Sequence, residues 1–212
     1  MSADAPGKRT KNRVRERQLS RDEIVAAALE LSKRVGIENI TMRDLASELD
    51  VTPMAAYYWV KNKRELTQLV SEAFQSEFEL PPPSVGPWYE RLRVLYREVH
   101  AHATRFPGSL APRREVYLTK ASQLLLDDQL EMLIEAGFPP ERAIVAVDVL
   151  NSYLIGRSTL TDAFRSQGWR PKVTKELSAA GRQLRETDLF EQGLDLVIEG
   201  LRRDLRALKR AR

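Results

Sequence analysis

The chain has 212 residues, 42% of them hydrophobic and 30% charged, with a formal net charge of +4 and no cysteine. That is enough apolar material for one larger or two modest packed domains, and it excludes a disordered tail protein, a disulfide scaffold, a thiolate enzyme and a cysteine-rich zinc site. A cytoplasmic setting without membrane insertion is expected, because no apolar leader follows the basic opening and the most apolar segment, Ala143 to Leu154, is interrupted by Asp148 and Asn151.

Residues 1–19 lack an apolar period and read as a flexible basic arm. They carry six Lys or Arg against two acids, and residues 201–212 carry six against one, so the ends hold +4 and +5 and the middle −5. Such ends suit a polyanion, since each neutralised phosphate releases condensed counterions. A solvated tail is the plainer reading of either end. A first helix follows: Ser20 and Glu23 have capping-box spacing, Ile24, Ala27, Ala28, Leu31 and Val35 recur at helical period, and Gly36 offers a C-terminal cap. Thr41 and Asp44 repeat the box for a short second helix through Leu49, buried through Leu45, Ala46 and Leu49. After the turn Asp50-Val51, Thr52 as N-cap and Pro53 at the first helical position start a third helix to about Trp59. Asn62 and Glu65 cap a fourth, with Leu66, Leu69, Val70, Ala73 and Phe74 on one side and Phe78 at its end.

The stretch Leu80-Pro81-Pro82-Pro83 through Pro87 cannot continue that helix, because proline lacks an amide donor and clashes with the preceding turn. A domain boundary is expected there, dividing the chain into 20–80 and 81–212. Helices are expected near 88–105, 116–136, 140–164 and 188–208, with Gly137-Phe138-Pro139-Pro140 as a break and 166–187 as a long connection. No strand-like alternation competes, so the fold class is all-α: an N-terminal helix-turn-helix and a C-terminal helical domain. The 140–164 helix is apolar on more than one side and needs more than one neighbour. With Leu194, Leu196, Val197, Leu201, Leu205 and Leu208 of the last helix it is suited to an intersubunit four-helix bundle.

Two short helices joined by a tight turn set a recognition helix into the major groove. The reader is Pro53-Met54-Ala55-Ala56-Tyr57-Tyr58-Trp59, rich in large flat side chains. Trp59 is expected in the core. Of Tyr57 and Tyr58, one is expected to face inward and one to reach phosphate or base.

The run Ile40-Thr41-Met42-Arg43-Asp44-Leu45-Ala46, with Tyr57-Tyr58-Trp59-Val60-Lys61-Asn62-Lys63-Arg64-Glu65-Leu66 after it, resembles the tetracycline-repressor (TetR) family of regulators. Weaker likeness runs through Leu133 to Phe138, Asn151 to Gly156 and Phe190 to Leu194, segments similar to the tetracycline repressors' ligand-binding domain. The resemblance implies a homodimer that binds a palindromic DNA operator and releases it when a small molecule binds. Its DNA contacts would come from Thr41, Met42 and Arg43, from Pro53, Met54 and Tyr57, and from Lys63, with Thr52 and Tyr58 beside them. Lys63, beside the free amides of a helix N-terminus, has its own warrant as a phosphate clamp. Asp50 stands where the family usually has glycine, a substitution that aspartate tolerates.

The candidate ligand-contacting residues of the second domain are Leu95, Val99, Gln129, Asp148 and Asn151, of which Gln129 matches a ligand-contacting glutamine of the tetracycline repressors. Asp148 and Asn151 lie three apart on one helix face, and such polar residues either have a structural partner or face a ligand. The magnesium-chelated drug of the tetracycline repressors is held by histidines, whereas the matching positions here carry Glu79 and a segment near Arg113 and Arg114, so the effector is left unidentified. No phosphate-cradling glycine loop, nucleophile elbow, zinc helix or dinucleotide fingerprint is present, and no enzyme activity, cofactor or metal is expected. His100 and His102, two apart on a helix, point away from each other. The rival readings are a DNA-binding factor without a ligand and an enzyme carrying an accessory helix-turn-helix.

Overall fold

The computed structural model describes residues 19–106, 109–110, 119–167 and 186–211. The expected basic arm, the Arg113 and Arg114 segment and most of the 166–187 connection lie outside them. Eight α-helices and no strand occur among the described residues: α1 (Arg21–Val35), α2 (Met42–Glu48), α3 (Pro53–Trp59), α4 (Lys63–Gln75), α5 (Trp88–Arg105), α6 (Lys120–Glu135), α7 (Pro140–Gln167) and α8 (Glu186–Arg210). None of the described helices is long and apolar enough to cross a membrane.

Local chemistry explains why the first helices start where they do. Ser20 and Thr41 each accept from the amide three residues on, while Glu23 and Asp44 accept from the cap amides, so both capping boxes close. Thr52 caps α3 by accepting from Ala55 N, and Asn62 caps α4 by accepting from Glu65 N. Each such cap is typically worth about 1 kcal/mol. The Glu65 carboxylate accepts from Lys61 N, one residue before the cap.

Two main apolar cores form. The first gathers Leu19, Ile24, Ala28 and Leu31 of the α1 region, Ile37, Ile40, Leu45, Ala46 and Leu49 around α2, Ala56 and Val60 around α3, and Leu66 and Val70 of α4. The second is built by α5 to α8, with Leu92, Leu95, Tyr96, Leu133, Leu150, Phe190 and Leu194 almost wholly enclosed. Phe78 and Leu80, just past α4, pack against this second core. Between the two, Phe74 of α4 meets Ala103 and Phe106 of the α5 end, with Leu29 of α1 alongside. Thr119, the N-cap of α6, donates its hydroxyl to Gln75 of α4 at 2.6 Å.

The late helices depart from expectation in detail. α6 begins at Lys120 behind the Thr119 cap, and 116–118 lie outside the described residues. α7 continues to Gln167, and α8 spans both sides of the expected 188–208 range. The Gly137 break is present, with φ +107°. The C-terminal basic run is helical and internally paired rather than a loose arm: Arg202 and Arg206 donate to Glu199, Asp204 accepts from Arg142, and the Arg202 guanidinium covers the Tyr89 ring.

Candidate nucleic-acid interface

The α2–α3 turn decides how the third helix is presented. Asp50 has φ +52°, the left-handed region. Asp50 N donates to Ser47 O and Val51 N to Ala46 O, the paired bonds that close a helix C-terminus in a Schellman motif. Val51 then packs against the first core. The turn thus has the geometry that glycine usually supplies, with aspartate in its place.

Within α3 only Ala56 is buried, and Val60 just beyond it is fully enclosed. Everything large points out: Met54 is 79% exposed, Tyr58 83%, Tyr57 46% and Trp59 37%. This corrects two expectations. Neither tyrosine faces inward, and Trp59 sits at the rim, edge-on to Tyr58 with ring centroids 5.6 Å apart. The reason is length: a helix of two turns, held down through one small alanine, leaves the inner space to Ala56 and Val60.

Around this face, Thr41, Arg43, Thr52, Pro53, Lys61, Lys63 and Arg64 are exposed. Met42 is different, 8% exposed and part of the core beneath them. Lys63 Nζ donates to Ile40 O at 2.7 Å, tying the start of α4 to the residue before the α2 cap. Hydrogen bonds from the Thr41 side chain and backbone, with the Lys63 charge adding to them, hold the Asp44 carboxyl below the usual range. Sequence spacing had marked Lys63 only as a phosphate clamp; its brace across 23 positions depends on the fold.

The expected ligand set divides. Leu95, Val99 and Gln129 are buried, and the Tyr96 hydroxyl donates to Gln129 Oε1 at 3.1 Å while Gln129 Nε2 donates to Leu125 O at 2.9 Å. Burial also pushes the Tyr96 hydroxyl pKa upward. Asn151 is half-buried and donates to Val147 O one turn back. Asp148 stands on the exposed side of α7, the side that carries Ile144, Val145, Val149, Ile155 and Leu160. The opposite side of α7, through Ala143, Ala146, Val147, Leu150 and Leu154, enters the core. α8 splits likewise: Leu194, Ile198 and Leu205 are buried, Val197, Leu201 and Leu208 lean on the core, and Leu196 is 77% exposed. Leu205 is therefore enclosed by its own chain's core, whereas Leu201 is only partly covered by it.

Two segments singled out in the sequence meet in space. The Tyr153 hydroxyl donates to Phe190 O at 2.9 Å and reaches Leu189 O at 3.2 Å, over Gly193. Phe190 in turn stacks on His100 at 3.7 Å between centroids. His102 points elsewhere, into Phe74, Phe78 and Phe106, with Nε2 2.8 Å from Glu77.

Residues 24–70 match the family model of bacterial regulatory proteins, tetR family. The chain is 28% identical over 207 residues to the class A tetracycline repressor protein from transposon 1721 of Escherichia coli, covering 87% of this chain and 91% of that protein. Among solved structures, it is similar to a TetR variant from Acinetobacter baumannii AYE in complex with minocycline, with TM-score 0.71, 26% identity, and 87% and 94% of the two chains covered. It is also similar to the TetR family protein ActR of Streptomyces coelicolor in complex with (S)-DNPA, with TM-score 0.69, 25% identity and coverage of 86% and 96%. Residues 24–70, with their capped helices and outward α3, thus match the DNA-binding part of bacterial regulators of the tetR family, and over most of its length the chain is similar to tetracycline repressors and to TetR-family structures.

Proposed function

We propose that the protein is a cytoplasmic, sequence-specific DNA-binding transcription regulator, a repressor that a small molecule releases from a palindromic operator. The observation that carries this reading is α3, a short helix held in the first core through Ala56 and presenting Met54, Tyr57 and Tyr58 outward amid exposed cations. Residues 20–80 form the DNA-binding unit in this reading, and 81–212 the ligand-binding and dimerisation unit. Thr41, Arg43, Thr52, Pro53, Met54, Tyr57, Tyr58 and Lys63 supply DNA contacts, and Met42 supports them from below.

The exposed apolar side of α7, together with Leu196 of α8, is the surface through which two copies pair. The effector binds along the α5–α6 seam near Leu95, Val99 and Gln129, with Asn151 of α7 contributing, and Asp148 belongs to the outer face. Release travels through the Phe74 contact with Ala103 and Phe106 and the Gln75–Thr119 bond, which join α4 to the effector domain. A ligand shifts this balance only by its differential affinity for the two arrangements, typically about 1–3 kcal/mol.

The test is selection of bound duplexes from a random pool, with and without a metabolite library, followed by gel shift. Arg43→Ala and Tyr57→Ala should weaken operator binding. Lys63→Ala should weaken binding to all sequences and lower the salt slope by about one. Gln129→Ala should leave ligand-free operator affinity intact and raise the effector concentration needed for release. Unchanged operator affinity in all three interface variants refutes the assignment.

A further inference from the structure

We infer that α3 reads thymine C5 methyl groups, so that the base pairs under it are recognised by apolar contact rather than by paired hydrogen bonds. This rests on the DNA-binding reading above and says which chemical feature of the operator the reader helix detects.

Base edges in the major groove are read by single hydrogen bonds, by bidentate pairs, which discriminate best, or by apolar contact. Adenine and guanine are read by bidentate groups, an amide for adenine N6 and N7 and a guanidinium or ammonium for guanine O6 and N7, while thymine offers a methyl group to an apolar surface. The outward arc of α3 consists of Pro53, Met54, Tyr57 and Tyr58, on the side opposite buried Ala56. It contains no amide, guanidinium or ammonium. Pro53 lacks even a backbone donor. The Thr52 hydroxyl accepts from Ala55 N as the helix cap, so it can offer a base one hydrogen bond but not a bidentate pair. What remains is a thioether chain, 79% exposed, between phenol rings whose hydroxyls lie at their far tips.

Exposing a methionine and two tyrosines to water on so small a helix makes sense when an apolar partner covers them. The cations stand outside this patch, Arg43 on α2 and Lys61, Lys63 and Arg64 at the α4 start, and all four are exposed. An apolar centre framed by positive charge complements a thymine-rich major groove flanked by phosphates. Met54 adapts its unbranched chain to a methyl group, and the ring edges of Tyr57 and Tyr58 present further carbon surface.

The experiment takes the full-length protein and the operator recovered by selection, and replaces each thymine in turn by deoxyuridine, which removes the methyl and leaves pairing unchanged. Two or more positions in each half-site should lose about fourfold in affinity per methyl, the factor that corresponds to burying one such group. Replacing the same thymine by cytosine should lose at least as much, and 5-methylcytosine should recover most of it. Met54→Ala, at a side chain too exposed to affect folding, should abolish the thymine-to-uridine difference at one position in each half-site. A defined operator that binds equally well with deoxyuridine at every position overturns this inference and leaves the DNA-binding reading standing. A pool that yields no preferred sequence overturns both.

Discussion

Gly193 tests whether α7 and α8 are set against each other by a single side chain. A Cβ built at Gly193 would lie 2.1 Å from the Tyr153 hydroxyl oxygen, 2.6 Å from Cζ and 2.9 Å from Cε2. Unstrained contacts between carbon atoms lie near about 3.5 Å, so in Gly193→Ala the ring tip must retreat by roughly 1 Å. The retreat breaks the bonds to Phe190 O and Leu189 O, at a net cost of about 1 kcal/mol. It also disturbs the stacked contact with Phe190, centroids 5.7 Å apart, which contributes about 0.5–1.5 kcal/mol. Against this, alanine is better than glycine inside a helix by about 1 kcal/mol.

The net expectation is that Gly193→Ala destabilises the protein by about 1–2 kcal/mol once residual overlap is included. In a Tyr153→Ala background the obstacle is gone, and the same substitution should stabilise by about 0.5–1 kcal/mol. Urea unfolding followed by far-ultraviolet circular dichroism measures all four corners of the cycle. If Gly193→Ala stabilises the wild-type chain, or has the same cost in both backgrounds, Tyr153 does not fill the space over Gly193 as described. Because the outer faces of α7 and α8 carry the proposed pairing surface, Gly193→Ala should also weaken self-association.

Three further outcomes follow from particular side chains. Leu196→Glu, at a position 77% exposed, should give a folded monomer in light scattering, whereas Leu205→Glu, at 7%, should abolish the cooperative melt; a Leu196→Glu dimer would refute the pairing surface. Burial holds the His102 pKa below its ordinary 6.5, with Lys33 and Arg105 lowering it further and Glu77 opposing them. The unfolded chain therefore binds the proton first, so the contribution is present above 6.5 and is lost as pH falls below it. His102→Phe should flatten the fall in urea midpoint between about pH 7 and about pH 5.5, and an unchanged slope would show that this imidazole is not its source. Asp50→Gly should stabilise by about 0.5 kcal/mol, because glycine adopts φ +52° without the side-chain penalty; a drop in midpoint would mean that the Asp50 side chain itself holds the turn.

The N-terminal helices were legible because their signals are local. Ser20, Thr41, Thr52 and Asn62 each satisfy an amide three residues away, and that chemistry needs no knowledge of the rest of the chain. The Asp50 turn and the Gly137 break belong to the same class, as does the candidacy of α3 as reader. Family resemblance added the residue set around Thr41, Arg43 and Lys63, but it did not distinguish Met42, which is buried, from its exposed neighbours.

What the order of residues determined by itself was therefore where the chain bends into helices, which helix could serve as a reader, and that α7 had apolar surface on two sides. Only the tertiary structure decided which of those surfaces the chain covers for itself. Helical period marks a face without naming its partner, so Leu205 and Leu196 looked alike until α8 was docked on α5 and α7. The same holds for Gln129, bonded to Tyr96 across 33 positions, for Tyr153 over Gly193, and for Lys63 on Ile40 O. In each of these a polar group or an empty space is answered by a residue distant in sequence, a relation that packing creates and local spacing does not contain.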